Sequence, residues 1–477
     1  MILQLSSFIP SLGPNEVVSL VVRSPYDGST VGETQALLAQ GASRALHLAE
    51  SAGGWRRPTP PLHERAQILR EVAERIEQQR DDLALLIARE GGKPLRDAQI
   101  EVSRAAQSTR LAAEEGVRLH GEEVPMTASA AAEGRMAFTI REPIGVVLAI
   151  SAFNHPLNLI AHQVAPAVAV GCPVLVKPDL RTPLSCLRYV QMLHEAGLPP
   201  ECALPVPCEN DVAEQLASSS EIAFLSFIGS ARVGWYLRSK LAPGVRCALE
   251  HGGAAPVIVD QTADLDLAVP ALLKGGFYHA GQVCVSVQRV FAQRSVFGEF
   301  VSRLAAGAEA LNVGDPADLA TDVGPLILKR EVDRVHEWVT EAVARGARLA
   351  VGGRAVGDQC YAPTVLANPP LDSRVVTEEV FGPVICIVEY DDSGEAIEMA
   401  NAVRWKFQAA VFTRDLASAL RAARGLEASA VMINDHTAFR VDWMPFGGRA
   451  ESGLGTGGIG YSVRDLTQEK LIVFREC

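Results

Sequence analysis

Apolar runs of strand length recur along the chain between helix-patterned stretches: IGVVLAIS from Ile144, PVLVKP from Pro173, IAFLSFIG from Ile222, APVIVD from Ala255 and PVICIVEY from Pro383. Helical patterning fills the gaps, as at 182–197 and 211–219. Strands alternating with helices predict an α/β fold built on mostly parallel sheet, because each crossover lays a helix on a sheet face. At 477 residues with 48% hydrophobic content, the chain is too long for one core and predicts two or three domains.

Two segments, Leu62 to Glu90 and Ile100 to Leu119, place apolar residues at three- and four-residue steps against charged faces and predict amphipathic helices. The longest apolar stretch, Leu157 to Val176, contains His162, Gln163, Pro166 and Pro173. Those residues are costly in a bilayer and fit a buried helix leading into a strand, so no membrane partner is expected. Nine scattered cysteines lack metal-ligand spacing, and the N-terminus has no basic n-region, with Pro10 and Pro14 interrupting its weak apolar run. Free thiols, no metal and a cytoplasmic location follow as expectations. A formal charge of −12, with no Lys/Arg run interleaved with aromatics, argues against nucleic acid as partner. The segment Met126 to Phe138 reads as a linker and LTQEKLIVF as a terminal strand.

Four separated segments carry chemistry: SAFNHP from Ser151, LEHGG from Leu249, GQVC from Gly281 and EEVFGP from Glu378. Cys284 offers a thiol nucleophile, with Gly281 and Gln282 allowing close backbone approach. Glu250 offers a carboxylate base, and Asn154 an amide donor for a developing oxyanion. IAFLSFIGSARVG ends a strand in Gly229 and Ser230 and opens a helix, so its free N–H groups can face a phosphate. Each has an ordinary reading: a buried core cysteine, a salt-bridged glutamate, a turn asparagine, a strand-to-helix junction without ligand. Cys172, Cys186, Cys202, Cys208, Cys247, Cys360, Cys386 and Cys477 lack such a setting and read as core or surface.

In this order the four segments resemble the NAD(P)-dependent aldehyde dehydrogenase family, from about Gly28 to Val473. The resemblance implies a Rossmann-like cofactor domain (1–123 and 142–252), an α/β catalytic domain (253–450) and a small β oligomerisation flap (124–141 and 451–477). It implies NAD or NADP as cofactor, a small aldehyde as substrate, and a homodimer or homotetramer. Cys284, Glu250 and Asn154 take the catalytic roles. Lys177, Gly229, Ser230, Ile150, Phe153, Glu379 and Phe381 take cofactor contacts. Arg104 and Ile100 of one helix, His155 and Arg440 would line the substrate tunnel, favouring an anionic or hydroxylated tail. FRVDWMPFGG with NHPLNL most resembles the lactaldehyde and phosphonoacetaldehyde branches, whereas Val283 stands where phosphonate-using relatives carry arginine.

The chain departs from the family pattern in two places. Leu180 of KPDL replaces a glutamate that would bind the ribose hydroxyls and repel a 2′-phosphate, leaving Asp179 as a substitute or NADP as an accepted cofactor. His251 stands where an apolar residue is usual. A cysteine hydrolase using Cys284 with His251 or His279, and a catalytically silent binding protein, are the competing readings.

Overall fold

The computed structural model describes residues 3–4, 9, 12–52 and 60–475; Cys477 and Pro10 lie outside them. Along the chain run β1 (Val17–Arg23), β2 (Thr30–Leu37), β3 (Glu123–Val124), β4 (Arg135–Pro143), β5 (Val146–Ile150), β6 (Val174–Lys177), β7 (Ala203–Pro205), β8 (Ile222–Ile228) and β9 (Arg246–Glu250). Then come β10 (Ala255–Val259), β11 (Val287–Gln293), β12 (Arg348–Val351), β13 (Thr364–Ala367), β14 (Val384–Tyr390), β15 (Gln408–Phe412), β16 (Ala430–Ile433), β17 (Gly453–Leu454) and β18 (Thr467–Arg475). All five predicted apolar runs are strands, and most of their residues are buried, as a sheet covered on both faces requires.

The first sheet has the order β17-β9-β8-β5-β6-β7, parallel except for β17. The second has the order β12-β13-β14-β11-β10-β15-β16, parallel except for β12. Strands β18, β4 and β3 form a separate antiparallel sheet.

Helices α1 (Leu62–Gln78), α2 (Arg80–Gly91), α3 (Leu95–Arg118), α4 (Asn158–Val170), α5 (Pro183–Glu195), α6 (Asn210–Ala217), α7 (Ala231–Arg238), α8 (Leu265–Phe277) and α9 (Ile459–Asp465) complete the parts needed for the site. The single helix expected from Leu62 to Glu90 divides at Gln79, whose φ of −103° and ψ of 22° leave the helical basin. Asp81 and Asp82 in the next first turn favour a fresh start there, because acidic side chains stabilise a helix N-terminus. The buried helix expected within 157–176 is α4, with every residue buried, and it leads into β6. No helix among the described residues is long and apolar enough to cross a membrane.

Two expectations are corrected. Residues 135–138, read as linker, open the nine-residue strand β4, which pairs residue for residue with β18 from Arg135↔Arg475 to Pro143↔Thr467. Residues 453–465, grouped above with the terminal flap, belong with the first sheet: β17 pairs with β9, and α9 packs on α3 and α4.

Candidate active site

Parallel register aligns the C-terminal ends of the first sheet. Ile150 pairs with Lys177 and with Phe227, and Glu250 pairs with Ile228, so Ile150, Lys177, Gly229 and Glu250 share one rim. Strand β5 is followed in sequence by β6 on one side, while β8 flanks it on the other, so strand order reverses at β5. Open α/β sheets bind ligands at such a switch point, beyond the strand C-termini. There Ser230 is the N-cap of α7 without a side-chain cap bond, which leaves the Ala231 and Arg232 N–H groups for an anion. This rim fits a dinucleotide.

Residues 251–254 carry the chain from the C-terminus of β9 to the N-terminus of β10, joining the two sheets at this rim. The second sheet presents the N-terminal side of its strands here: Cys284 precedes β11, and Glu379 and Phe381 precede β14. Contacts across the gap tie the halves together. Asn154 Nδ2 donates to the Gln282 carbonyl at 2.8 Å, and the Phe153 and Phe381 rings meet edge to face at 6.0 Å. Gly253 N–H donates to Glu379 Oε1 at 3.1 Å.

Glycine makes room for both carboxylates. A methyl at Gly252 would overlap the Glu379 carboxylate, and one at Gly457 would overlap that of Glu250. Upstream of the nucleophile, His279 (φ 48°), Ala280 (φ 54°) and Gly281 (φ 70°) form a left-handed turn, and a Cβ on Gly281 would enter the Gly382 carbonyl. Gly281→Ala is expected to cost about 2–4 kcal/mol of stability, measured by denaturant melting, because it combines an unfavourable φ with a backbone clash.

Burial pushes the Cys284 thiol up to about 12; Arg440 opposes the rise, while Glu250 and Glu379 add to it. Burial also raises the Glu250 carboxyl, again opposed by Arg440, and takes Glu379 to about 7. A thiol this reluctant to ionise needs a nearby base for attack at neutral pH.

The substrate-side residues arrange differently from expectation. Arg104 makes a two-pronged ion pair with buried Asp442, at 3.1 Å to Oδ2 and 2.6 Å to Oδ1. Glu101, one helical turn before it, pairs with buried Lys93 and accepts the N–H groups of Leu157 and Asn158 at 2.9 and 3.1 Å. Glu101 thereby caps α4 and fixes the loop bearing Asn154 and His155. His155 is buried beside Tyr278, with Nε2 3.2 Å from the hydroxyl, and burial holds it neutral. His162 donates from Nε2 to Asp442 Oδ1 at 2.7 Å and is held to about 4 by burial. Arg440 lies over the Phe446 ring at 3.6 Å, reaches His162 Nδ1 at 3.4 Å, and leaves its buried Nε without a hydrogen-bond partner. His162, Glu101 and Gly457 carry no local motif that marks them as site residues, and Asp442, though inside FRVDWMPFGG, has nothing in that segment to tie it to Arg104.

Two open questions close here. Asp179 is committed to Arg181, accepting its Nε at 2.6 Å and its N–H at 2.9 Å, so it is not free to bind a ribose. His251 stands between Phe227 and Trp235, its Nδ1 on the Glu451 carbonyl at 3.0 Å and its ring against Gly234 of α7. That is a packing role. His279 packs on His155 and Tyr278. The hydrolase reading requires an imidazole bonded to Cys284, and neither ring makes that bond.

The profile of the aldehyde dehydrogenase family matches residues 14–472. A 3-sulfolactaldehyde dehydrogenase of Priestia aryabhattai is 40% identical over 413 residues, covering 86% of each chain. The structure of aldehyde dehydrogenase 21 from Physcomitrella patens, in complex with the reaction product succinate, superposes with a TM-score of 0.95 at 33% identity over 100% of this chain and 99% of that one. Glyceraldehyde-3-phosphate dehydrogenase from Methanocaldococcus jannaschii, complexed with NADP, gives 0.90 at 34% identity over 96% and 99%. With a sheet-end rim suited to a dinucleotide, a half-buried thiol beside it and likeness over nearly the whole length, one conclusion is left: the chain belongs to the aldehyde dehydrogenase family, oxidoreductases that work with NAD or NADP.

Proposed function

We propose that this enzyme oxidises a small aldehyde with an anionic or hydroxylated tail to the carboxylic acid through a thioester on Cys284. The observation that carries this reading is the seam between the two sheets, where Asn154 bonds the Gln282 carbonyl two residues from Cys284, Glu379 bonds the Gly253 N–H, and Glu250 ends the neighbouring strand β9. Glu250 takes the thiol proton as Sγ bonds the carbonyl carbon, and the oxyanion that forms is held by the Asn154 amide and the Cys284 N–H. Glu379 and Phe381 would hold the nicotinamide, which when bound would supply the hydride acceptor that lets the thiohemiacetal become a thioester. Glu250 releases the thiol proton to solvent, and the carboxylate then takes a proton from the water that attacks the thioester; the C–S bond breaks, and the acid leaves with the thiolate regenerated. Asn154→Ala is expected to lower kcat about 10²-fold, the loss of about 3 kcal/mol typical of one oxyanion donor, measured by steady-state turnover.

In the same reading, the first sheet with its helices is the cofactor domain and the second the catalytic domain. Gly229 and Ser230 hold the pyrophosphate, Lys177 the adenosine ribose, and Glu379 and Phe381 the nicotinamide ribose, with Ile150 and Phe153 packing beside them. Because Leu180 is apolar and Asp179 is bound to Arg181, nothing at this position repels a 2′-phosphate, and both NAD and NADP are accepted. Strands β4 and β18 leave Leu471 and Val473 exposed on one face and the paired Met136 and Phe474 on the other, apolar surface for a second copy in a homodimer or homotetramer. A cytoplasmic location agrees with eight described cysteines that are all free thiols.

A panel of small aldehydes with NAD and with NADP tests the reading. Absorbance from reduced nicotinamide with anionic or hydroxylated members is the expected result. Silence across the panel with both cofactors would remove it.

A further inference from the structure

We propose that Arg289 is a positioning residue for hydride transfer: its guanidinium fixes the Ala254 end of the crossover between the two sheets, and through Gly253 it sets where Glu379 stands. All three of its hydrogen bonds go to backbone carbonyls, so it acts through other residues. This rests on the proposed function, in which Glu379 holds the nicotinamide ribose, and adds to it the group that holds Glu379.

Arg289 lies within β11, between Pro256 of β10 and Cys386 of β14, and is 1% exposed. Its Nε donates to the Ala254 carbonyl at 2.8 Å, while Nη1 and Nη2 donate to the Met399 and Ala400 carbonyls at 3.3 and 3.0 Å. Those last two carbonyls belong to the final turn of the helix Ser393–Asn401, an end that carries partial negative charge. Among the described residues no carboxylate pairs with this cation. Burial pulls it down to about 9, which still leaves it charged at neutral pH. A buried ion without a counterion is costly, and well-packed apolar residues commonly serve stability as well or better. What the guanidinium supplies that an apolar residue cannot is a rigid fork joining a helix end to the crossover.

Contacts on either side of that fork close into a ring around Glu379. Gly253, next to Ala254, donates its N–H to Glu379 Oε1 at 3.1 Å. Beyond the helix end, Val403 and Trp405 pack on Ala254, Trp405 Nε1 donates to the Thr377 carbonyl at 3.1 Å, and Arg404 Nη2 donates to Glu378 Oε2 at 2.5 Å. The crossover, the helix end and residues 377–379 thus brace one another, and Arg289 is the side chain that hydrogen-bonds the first to the second. Without it the Ala254 carbonyl is no longer tied to the helix end, and Glu379 is held by a looser Gly253. Displacing a reacting group by about 1 Å can cost on the order of 10²-fold in rate, so even a small slip is measurable.

Arg289→Lys keeps the charge and removes the fork, while Arg289→Met removes both and fills the same core space should the lysine variant fail to fold. Dissociation constants of NAD and NADP come from tryptophan quenching, turnover from aldehyde carrying hydrogen or deuterium on the carbonyl carbon, and thiol access from alkylation by iodoacetamide without cofactor. In the folded variant, cofactor affinity is expected to fall about fivefold and kcat about tenfold with a larger deuterium isotope effect, while Cys284 alkylation stays within about twofold of wild type. In a Glu379→Ala background the same substitution should add less than about twofold, because the side chain it positions is gone. A purely structural role lowers the denaturant midpoint and leaves these values in place in the folded protein. The inference is overturned if folded variants keep affinity and kcat within about twofold, if alkylation falls as far as turnover, if the losses multiply in the Glu379→Ala background, or if neither variant folds. Absence of wild-type turnover with every aldehyde and both cofactors overturns the proposed function instead; the cofactor titrations need no aldehyde and still decide the part played by Arg289.

Discussion

Cys284→Ala is expected to lower aldehyde-dependent formation of reduced nicotinamide by on the order of 10⁴-fold or more while leaving the fold and cofactor affinity intact. The loss is this large because no second thiol among the described residues can substitute. Cys172, Cys186, Cys202, Cys208, Cys360 and Cys386 are buried in the cores, and half-buried Cys247 lies within β9 with Arg238 as its charged neighbour. Without Sγ the carbonyl carbon has no covalent partner, and hydride cannot leave an aldehyde that has not first become tetrahedral. Folding should survive, since the substitution removes one atom from a residue that is only partly buried. The kinetic measurement is paired with titration of NAD and NADP by tryptophan quenching, where unchanged affinity separates a missing nucleophile from a damaged site. Substantial turnover in this variant would contradict the role given to Cys284.

Glu250→Gln should have the second largest effect and a different kinetic shape. Burial places the thiol near 12, so almost none is ionised at neutral pH, and the residue that accepts its proton governs both attack and hydrolysis. The amide keeps the shape of the carboxylate against Gly457 but cannot accept a proton. Steady-state turnover is expected to fall about 10²- to 10⁴-fold. At alkaline pH the thiol ionises without help, so acylation recovers first and hydrolysis lags. Stopped-flow should then show a burst approaching one reduced nicotinamide per site, followed by a slow phase. The sign with pH follows from the raised Glu250 carboxyl: wild-type kcat/KM rises as pH increases through its ionisation and falls as it is protonated.

The parts of the fold most legible in the sequence were those in which local pattern and burial agree. Five apolar runs became strands within a residue or two because each is too short for a helix and is covered on both faces. Strand β4 was missed: its first residues follow a small, polar stretch, and its pairing partner β18 lies more than 300 residues away. The helix break at Gln79 was missed because apolar spacing continues across it.

Legibility of the site follows the same logic. Cys284, Glu250 and Asn154 sit in short motifs whose residue types are dictated by chemistry, and the structure draws them to one seam between the sheets. The electrostatics of the substrate side were not readable. Asp442 bonds Arg104 across 338 positions and His162 across 280, and only the folded chain reveals these pairings. Similarly, His251 had no meaning in sequence because its reason is the space beside Gly234 and Trp235.

The central claim is that a carbonyl carbon becomes bonded to one particular sulfur. Acid-quenching the Glu250→Gln variant after mixing at alkaline pH with a reactive aldehyde and NAD or NADP, then mapping acyl adducts by peptide mass spectrometry, tests it directly. The expected result is a single acyl group on the peptide containing Cys284, dependent on cofactor. Acylation of another residue, or aldehyde oxidation with Cys284 unmodified throughout, would contradict the account.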